Sequence, residues 1–267
     1  MGASDTATRS AHRAVEATGW PARFGVSLGM AGFLALMAQV SFPLPWTPVP
    51  FSMMPFALLV AGAYQRPAWA GLSVLLYLAA GAAGLPVYAG GASGLRHLAG
   101  STAGYLFGFL LVSVLVSAYV RRPRALLPHR LVVALVALLA VALVAAVSVI
   151  AWMNATGTGL EATWGVGAST LWVLAFVTAA SLGVTYVLLR RRRGEATRAA
   201  NLWLVMLGAL LVLHACGVVV LWALTPHTLI QSIALGSVVF LPFDIVKAGL
   251  AVAVALPFLP EEHHAPH

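Results

Sequence analysis

Charged side chains are scarce in this chain of 267 residues. Asp, Glu, Lys and Arg make up 8% of it, whereas a soluble domain carries roughly 25%. Several uninterrupted apolar runs reach the length of about 18 residues that crosses the hydrocarbon of a bilayer. The composition excludes an ordinary soluble domain and predicts an all-α polytopic membrane protein. A transmembrane β-barrel does not fit, because the runs do not alternate between apolar and polar residues.

The sequence also has only one cysteine and no nucleotide-binding loop. The single Cys216 excludes a disulfide framework and a cysteine-based metal site, and we predict no metal site elsewhere. The chain contains no Gly-x-x-x-x-Gly-Lys-Ser/Thr loop, so we expect no ATP hydrolysis and no cofactor bound by this chain itself. The first residues lack the apolar core of a signal peptide, and we interpret 1–22 as a cytoplasmic tail.

The net charge of +8 is distributed in a way that argues against nucleic-acid binding. Most cations lie at the N-terminus or in short polar gaps between apolar runs, as the positive-inside rule predicts for a protein of the cell membrane. These are Arg9, Arg13, Arg23, Arg66, Arg121, Arg122, Arg124, Arg130, Arg190 to Arg193 and Arg198. Alternating the sides of the apolar runs then places both termini in the cytoplasm.

The apolar runs predict about eight spans within a membrane domain at 23–259, followed by a polar tail at 260–267. The spans are expected at about 24–42, 52–64, 67–84, 104–120, 131–153, 169–189, 202–222 and 242–259. A Gly-rich loop at about 85–103 joins the third and fourth spans. The second run, of about 13 residues, is short for a span.

Two charged residues interrupt the last apolar run. Pro242 favours a helix start, which places Asp244 in the first turn, where the helix dipole stabilises an anion. Lys247 follows one turn later on the same face. Because a lone ion in lipid costs several kcal/mol, both must face protein or a wet cavity. Two interpretations are open: a structural ion pair that locks helices together, or a binding pocket that opens to the outside.

Three segments resemble the BioY family, the biotin-specific substrate-binding (S) components of energy-coupling factor (ECF) transporters. The first is "PLPWTPVP" from Pro43, and the last is "PFDIVKA" from Pro242. The middle segment contains two motifs, Gly84-Leu-Pro-Val-Tyr88 and Gly100-Ser-Thr-Ala-Gly-Tyr105. Here Ser101 and Ala103 depart from the family pattern, and the few residues that usually separate Phe from Asp in the last motif are missing.

The resemblance implies a six-helix S-component-like bundle that captures extracellular biotin. An additional two-helix hairpin would be inserted at 125–198. A separate transmembrane coupling subunit and two ATPase subunits, which use ATP, would deliver the vitamin to the cytoplasm. Asp244 and Lys247 match the acid and base that the family uses for binding.

Further ligand-binding candidates follow from the resemblance and from the chemistry of biotin. Arg96 is a candidate partner for the ligand carboxylate, although a solvated loop arginine is an equal alternative. Aromatic rings could pack on the thioether ring or simply lie at the membrane interface, and glycines could allow close backbone approach or simply form a loop. The candidates, besides Asp244 and Lys247, are Trp46, Thr47, Tyr88, Gly90, Gly91, Ser93, Arg96, Thr102 and Tyr105.

The first span carries small residues spaced by four. Gly25 and Gly29, then Ala31 and Ala35, resemble the docking motif by which the family contacts its coupling subunit, since small side chains let helices approach closely in lipid. Solitary uptake or self-association as a homo-oligomer is the alternative to docking.

Two other functions remain as alternatives. One is an S component for another vitamin. The other is a rhomboid-like intramembrane serine protease, because Gly91-Ala-Ser-Gly94 and His214-Ala-Cys-Gly217 resemble the two motifs of that class, with Ser93 and His214 as the dyad. The first three spans contain no His or Asn for an oxyanion site. We therefore interpret Ser93 as a loop residue and His214 as a hydrogen-bonded packing histidine.

Overall fold

The structure, a computed structural model, describes residues 19–45, 47–121 and 193–258. This part is mostly helical. The helices are α1 Trp20–Gln39, α2 Met54–Tyr64, α3 Pro67–Ala82, α4 Leu95–Leu98, α5 Ala103–Arg121, α6 Arg193–Leu224, α7 Leu229–Ile233 and α8 Leu241–Ala255. A π-helical turn, Ala234–Val238, joins α7 to α8, and 3₁₀ turns occupy Ala89–Gly91 and Leu256–Phe258.

Four stretches are long and apolar enough to cross a membrane. They are Trp20–Gln39, Ala103–Arg121, Arg198–Leu224 and Leu229–Phe258. The helices α2 and α3 are equally apolar but shorter. The prediction of a helical membrane protein is confirmed. The predicted spans at 131–153 and 169–189, most of the inserted hairpin at 125–198, Trp46, residues 1–18 of the N-terminal tail and the C-terminal tail lie outside the described residues.

Close helix contacts in the core depend on glycine. The helix α5 packs against α6, α2 and α3, and α8 packs against α2 and α6. A Cβ atom on Gly104 would lie 2.1 Å from the carbonyl oxygen of Cys216, and one on Gly62 would lie 2.6 Å from that of Ser113. Backbones therefore meet directly at these two crossings, which is how helices associate in lipid without a hydrophobic driving force.

The segment expected as a loop at 43–51 is instead a β-hairpin. Strands β1 (Ser41–Leu44) and β2 (Thr47–Ser52) pair in antiparallel register, with Phe42 opposite Phe51. Proline is unfavourable in most strands, but a two-stranded hairpin consists only of edge strands, where proline is tolerated. The ring of Phe51 also contacts that of Phe243, with centroids 5.0 Å apart, so the hairpin packs on the start of α8.

The glycine-rich loop between α3 and α5 folds back over α3. The Gly94 amide donates to the Gly81 carbonyl at 2.7 Å, and the Gly90 amide donates to Ser41 Oγ at 3.0 Å. Gly90 and Gly91 have φ of 67° and 74°, a left-handed conformation that glycine adopts without steric cost. The loop is thus fixed between α3 and the hairpin.

The last spanning stretch is broken, as the sequence predicted. A capping box between Thr228 and Gln231 starts α7, and the chain then passes through the π turn. The helix α8 begins at Leu241, with Pro242 in its first turn. This break sets Asp244 at the start of a helix rather than in the middle of one.

A neutral polar cluster lies at the C-terminal end of α2 and consists of Ser27, Gln65, Ser73 and Ser117. We call it the closed cluster. Gln65 Nε2 donates to Ser27 Oγ at 3.1 Å, and Gln65 Oε1 accepts from Ser73 Oγ at 2.8 Å. The Ser117 hydroxyl donates to the Gln65 carbonyl. All four residues are buried, and their mutual bonds satisfy polar groups that lipid could not.

Candidate ligand-binding site

Asp244 and Lys247 form a buried ion pair in the first turns of α8. They are 2% and 3% exposed, and Lys247 Nζ donates to Asp244 Oδ1 at 2.9 Å. The predicted position of the acid in the first turn and the shared helix face are both confirmed. An ion pair this deeply buried needs further polar partners to offset its desolvation.

His214 of α6 is the third member of the site. Its Nε2 lies 2.6 Å from Asp244 Oδ2, and its Nδ1 lies 3.1 Å from the carbonyl oxygen of Gly236 in the π turn. The Tyr105 hydroxyl donates to the same Gly236 carbonyl. We call Asp244, Lys247 and His214 the charged cluster.

A cavity of about 170 Å³ opens beside the charged cluster. Its wall is mostly apolar and includes Val49 and Pro50 of the hairpin and Phe109 of α5. Its polar lining residues are Ser52, Tyr77, His97, Thr102, Tyr105, Asp244 and Lys247. An apolar pocket with a few convergent polar groups is the usual form of a small-molecule site. Its size suits a small organic molecule.

Four of the sequence-predicted site residues meet at this cavity. Asp244 and Lys247 come from α8, Thr102 from the end of the loop, and Tyr105 from the first turn of α5. The aromatic ring of Phe51 adds a contact that the sequence did not predict, since its centroid lies 4.5 Å from Lys247 Nζ. That distance is within the range of a cation–π interaction.

Two of the predicted residues, Tyr88 and Thr47, do not line the cavity and make packing contacts instead. Tyr88 is fully buried, its hydroxyl donates to the Leu78 carbonyl at 2.7 Å, and its ring fills the space left by Gly81. Thr47 Oγ1 donates to the Leu235 carbonyl at 2.8 Å, which ties the hairpin to the π turn. Both are packing residues in this structure.

Four further candidates lie on the exposed surface of the loop and are not part of the cavity wall. They are Gly90, Gly91, Ser93 and Arg96. The loop contributes His97 instead, whose ring stacks on Tyr88 with centroids 5.1 Å apart. Partial burial lowers the pKa of His97 below its ordinary value. The sequence analysis missed this residue because nothing in its neighbourhood distinguishes it from a solvated loop histidine.

The small residues of α1 divide between two faces. Gly25 and Gly29 are exposed, and a Cβ on either would meet no described atom within 4 Å. Ala31 is buried, and Ala35 packs half-buried against the core. The side chain of Ala31 thus faces this chain's own core, and the docking role of these four residues stays a prediction.

The geometry gives His214 different partners from those of a protease dyad. Its two ring nitrogens contact Asp244 and Gly236, while Ser93 is exposed in the loop. The interpretation of His214 as a hydrogen-bonded histidine is confirmed. Its partnership with Asp244, 30 residues away in sequence, was not predicted. The available signal was a histidine within an otherwise apolar run, the same signal that identified the acid and the base.

Taken together, the fold and the site define a helical membrane protein with a buried charged cluster beside a small internal cavity. The chain belongs to the BioY family, whose model matches residues 17–195 and 172–261.

Individual relatives agree with this assignment. A probable biotin transporter BioY of Bacillus subtilis (strain 168) is 37% identical over 106 residues, which cover 38% of this chain and 57% of the relative. The probable biotin transporter BioY of Pyrococcus horikoshii is 39% identical over 83 residues, covering 30% and 50%. For the biotin transporter BioY of Thermotoga maritima the identity is 40% over 74 residues, covering 28% and 43%. The chain thus spans about half the length of the curated relatives it matches.

A solved structure shares the fold. It is the crystal structure at 2.1 Å of the S-component for biotin from an ECF-type ABC transporter, with a TM-score of 0.56. The match covers 88% of this chain and 88% of that one, at 17% sequence identity.

Proposed function

We propose that this protein captures biotin from outside the cell as the substrate-binding component of an ECF transporter. The observation that carries the proposal is the buried Asp244–Lys247 pair, which lines a cavity instead of being sealed in the core. Membership of the BioY family and the names of the relatives support biotin as the ligand over another vitamin. The role is one of binding and transport, not of catalysis.

The cavity offers a partner for each part of biotin. The Lys247 ammonium has three hydrogens, of which one is donated to Asp244, so others are available for the ligand carboxylate. Each Asp244 oxygen keeps a lone pair that can accept from a ureido N–H group. The apolar wall, including Phe109 and Leu213, suits the thioether ring and the valeryl chain.

In the membrane, the cavity would face the outside and the closed cluster the cytoplasm. Arg121 donates to the carbonyl oxygen of Tyr64 and so lies at the closed end, where Arg66 also follows α2. Arginines concentrate on the cytoplasmic side of membrane proteins. This orientation agrees with eight spans, two of them in a hairpin inserted at 125–198, and with both termini in the cytoplasm.

Transport would need partner subunits, since this chain contains no ATP-binding loop. We assign that role to a transmembrane coupling subunit and two ATPase subunits. The exposed Gly25 and Gly29 face of α1 would be the docking surface, because small residues allow close helix contact in lipid. Uptake by the chain alone, as a homo-oligomer, is the competing arrangement. Biotin uptake by cells that express this chain with and without the coupling module distinguishes the two.

Calorimetry on the purified full chain tests the ligand. Biotin should bind tightly without ATP, and riboflavin and thiamine should not bind. Asp244→Asn and Lys247→Ala should each weaken biotin binding well beyond about tenfold. Asp244→Asn leaves the Lys247 charge buried without its partner, and Lys247→Ala removes the ammonium that would meet the ligand carboxylate. Tighter binding of a different vitamin, or full affinity in both variants, would contradict the proposal.

A further inference from the structure

We propose that the His214–Asp244 pair shares one additional proton. The charged cluster then carries a net charge of plus one and binds its ligand as a carboxylate anion. His214 contacts Asp244 and is not among the cavity-lining residues, so it is a positioning residue. The inference rests on the proposed function and extends it to the charge state of the site.

Hydrogen-bond chemistry places the proton. A carbonyl oxygen can only accept, so His214 Nδ1, 3.1 Å from the Gly236 oxygen, carries hydrogen. Between His214 Nε2 and Asp244 Oδ2, 2.6 Å apart, one further hydrogen is needed. It resides either on the imidazole, giving imidazolium and carboxylate, or on the carboxyl group, giving two neutral partners. The His214–Asp244 pair has a net charge of zero in both cases.

Lys247 then determines the charge of the site. The neutral pair plus one ammonium sums to plus one. The other titratable group that faces His214 from a neighbouring helix is Tyr105 of α5, a phenol whose hydroxyl donates to Gly236. Asp244 and Lys247 are the groups that face it from α8. A simple Asp–Lys pair would leave the site neutral, and the third residue changes that.

The additional charge decides which ligands the cavity accepts. An anion that enters a buried, mostly apolar cavity loses its hydration, and an uncompensated buried charge is costly. A site of charge plus one becomes neutral when it binds a monocarboxylate. If the His214–Asp244 proton leaves in alkaline solution, the empty site sums to zero and the bound complex to minus one. Carboxylate binding is therefore linked to retention of this proton.

The test compares biotin with the uncharged biotin amide, using the purified full chain. His214→Gln keeps an N–H donor for Asp244 but cannot carry the charge. It should weaken the binding of biotin by about tenfold and leave the affinity for the amide nearly unchanged. His227→Gln, in the turn after α6 and outside the cavity wall, should behave like the wild type.

Nitrogen NMR of the histidine rings provides a readout that requires no ligand. Comparison of the wild type with His214→Gln assigns the His214 signals, and size-exclusion chromatography confirms that the variant is folded. We expect a protonated Nδ1 near neutral pH. A bare Nδ1 would mean a neutral imidazole donating to a carboxylate, which removes the additional proton and overturns the inference.

The two proposals fail in different ways. No binding of biotin at any pH would overturn the proposed function and this inference with it. Tight biotin binding of equal affinity in the wild type and in His214→Gln would overturn only the role of His214.

Discussion

The two buried polar clusters of this bundle differ in charge and in surroundings. The closed cluster consists of hydroxyl and amide groups that bond to one another and to backbone carbonyls. The charged cluster consists of an acid, a base and a histidine, and two of its members line a cavity. Neutral polar groups can be satisfied internally at little cost, whereas ions need a counter-charge and a hydrated or ligand-filled space. Under the proposed function, the comparison separates a cluster that holds helices together from one that binds a ligand.

Removal of the base Lys247 should have the largest effect on biotin affinity and stability. Lys247→Ala removes the ammonium proposed for the ligand carboxylate and leaves Asp244 paired with His214 alone, which should abolish measurable biotin binding and cost about 1–3 kcal/mol of stability. The double variant Asp244→Asn/Lys247→Ala should recover much of the stability and still bind no biotin. Thermal unfolding in detergent and calorimetry measure the two quantities. Equal loss of stability in the double variant would indicate that the pair acts mainly as a structural lock.

Glycines at the two ends should respond differently to an added methyl group. A Cβ on Gly217 would lie 2.1 Å from the ring of Tyr105, which lines the cavity. Gly217→Ala should therefore cost about 1–3 kcal/mol and also weaken biotin binding, because Tyr105 must move. Gly62→Ala, which would meet the Ser113 carbonyl, should destabilise similarly but leave affinity unchanged.

Gly208 provides the matched control for both substitutions. A Cβ there meets no described atom within 4 Å, so Gly208→Ala should not lower the unfolding temperature and should leave the affinity unchanged. If Gly62→Ala weakened biotin binding as much as Gly217→Ala, the two ends could not be regarded as independent.

Substitutions in the closed cluster should change stability but not the affinity for biotin. Gln65→Ala leaves the Ser27 and Ser73 hydroxyls without their shared partner, which should cost about 1–3 kcal/mol. The affinity for biotin should stay within about twofold of the wild type, since distant sites are usually independent. Ser73→Ala removes one hydroxyl, which contacts Gln65 and the Trp69 carbonyl, and should have the smaller effect of the two. A large loss of affinity in Gln65→Ala would contradict the division of roles.

The smallest predicted effect concerns His97 and pH. Its pKa is lowered by burial, so the unfolded chain binds a proton more readily than the folded one. Stability should therefore fall as the pH drops below about 6.5, the ordinary value for histidine. His97→Gln should remove this acid-side loss, as the difference between the two unfolding curves would show. An unchanged pH dependence in the variant would assign the loss to another group.

Much of the fold was predictable because apolar runs and prolines act locally. The spans of α1, α5 and α6 follow from runs of apolar residues, and the start of α8 follows from Pro242. The hairpin was missed because its prolines are unfavourable in most strands, and only the two-stranded context makes them acceptable.

The part of the candidate site that could be predicted consists of residue types that are rare in apolar runs. Asp244 and Lys247 stand out because charge is rare in apolar runs, and their spacing defines a shared face. The contact with His214 depends on how α6 crosses α8, which no local pattern reveals. Which of the surrounding residues line the cavity was not predictable for a similar reason. Tyr88 and Tyr105 look alike in sequence, but their rings fill different spaces, next to Gly81 and Gly217 respectively.

The carbonyl group of Gly236 has a mechanical consequence. It receives hydrogen bonds from Tyr105 of α5 and His214 of α6, so the widened turn before the last helix is anchored to two different helices. Tilting that turn would require both bonds to break together, and the orientation of Asp244 is therefore set by the protein itself. Under the proposed function, little ordering is left for a ligand with few atoms to impose, and such stiffness favours tight binding.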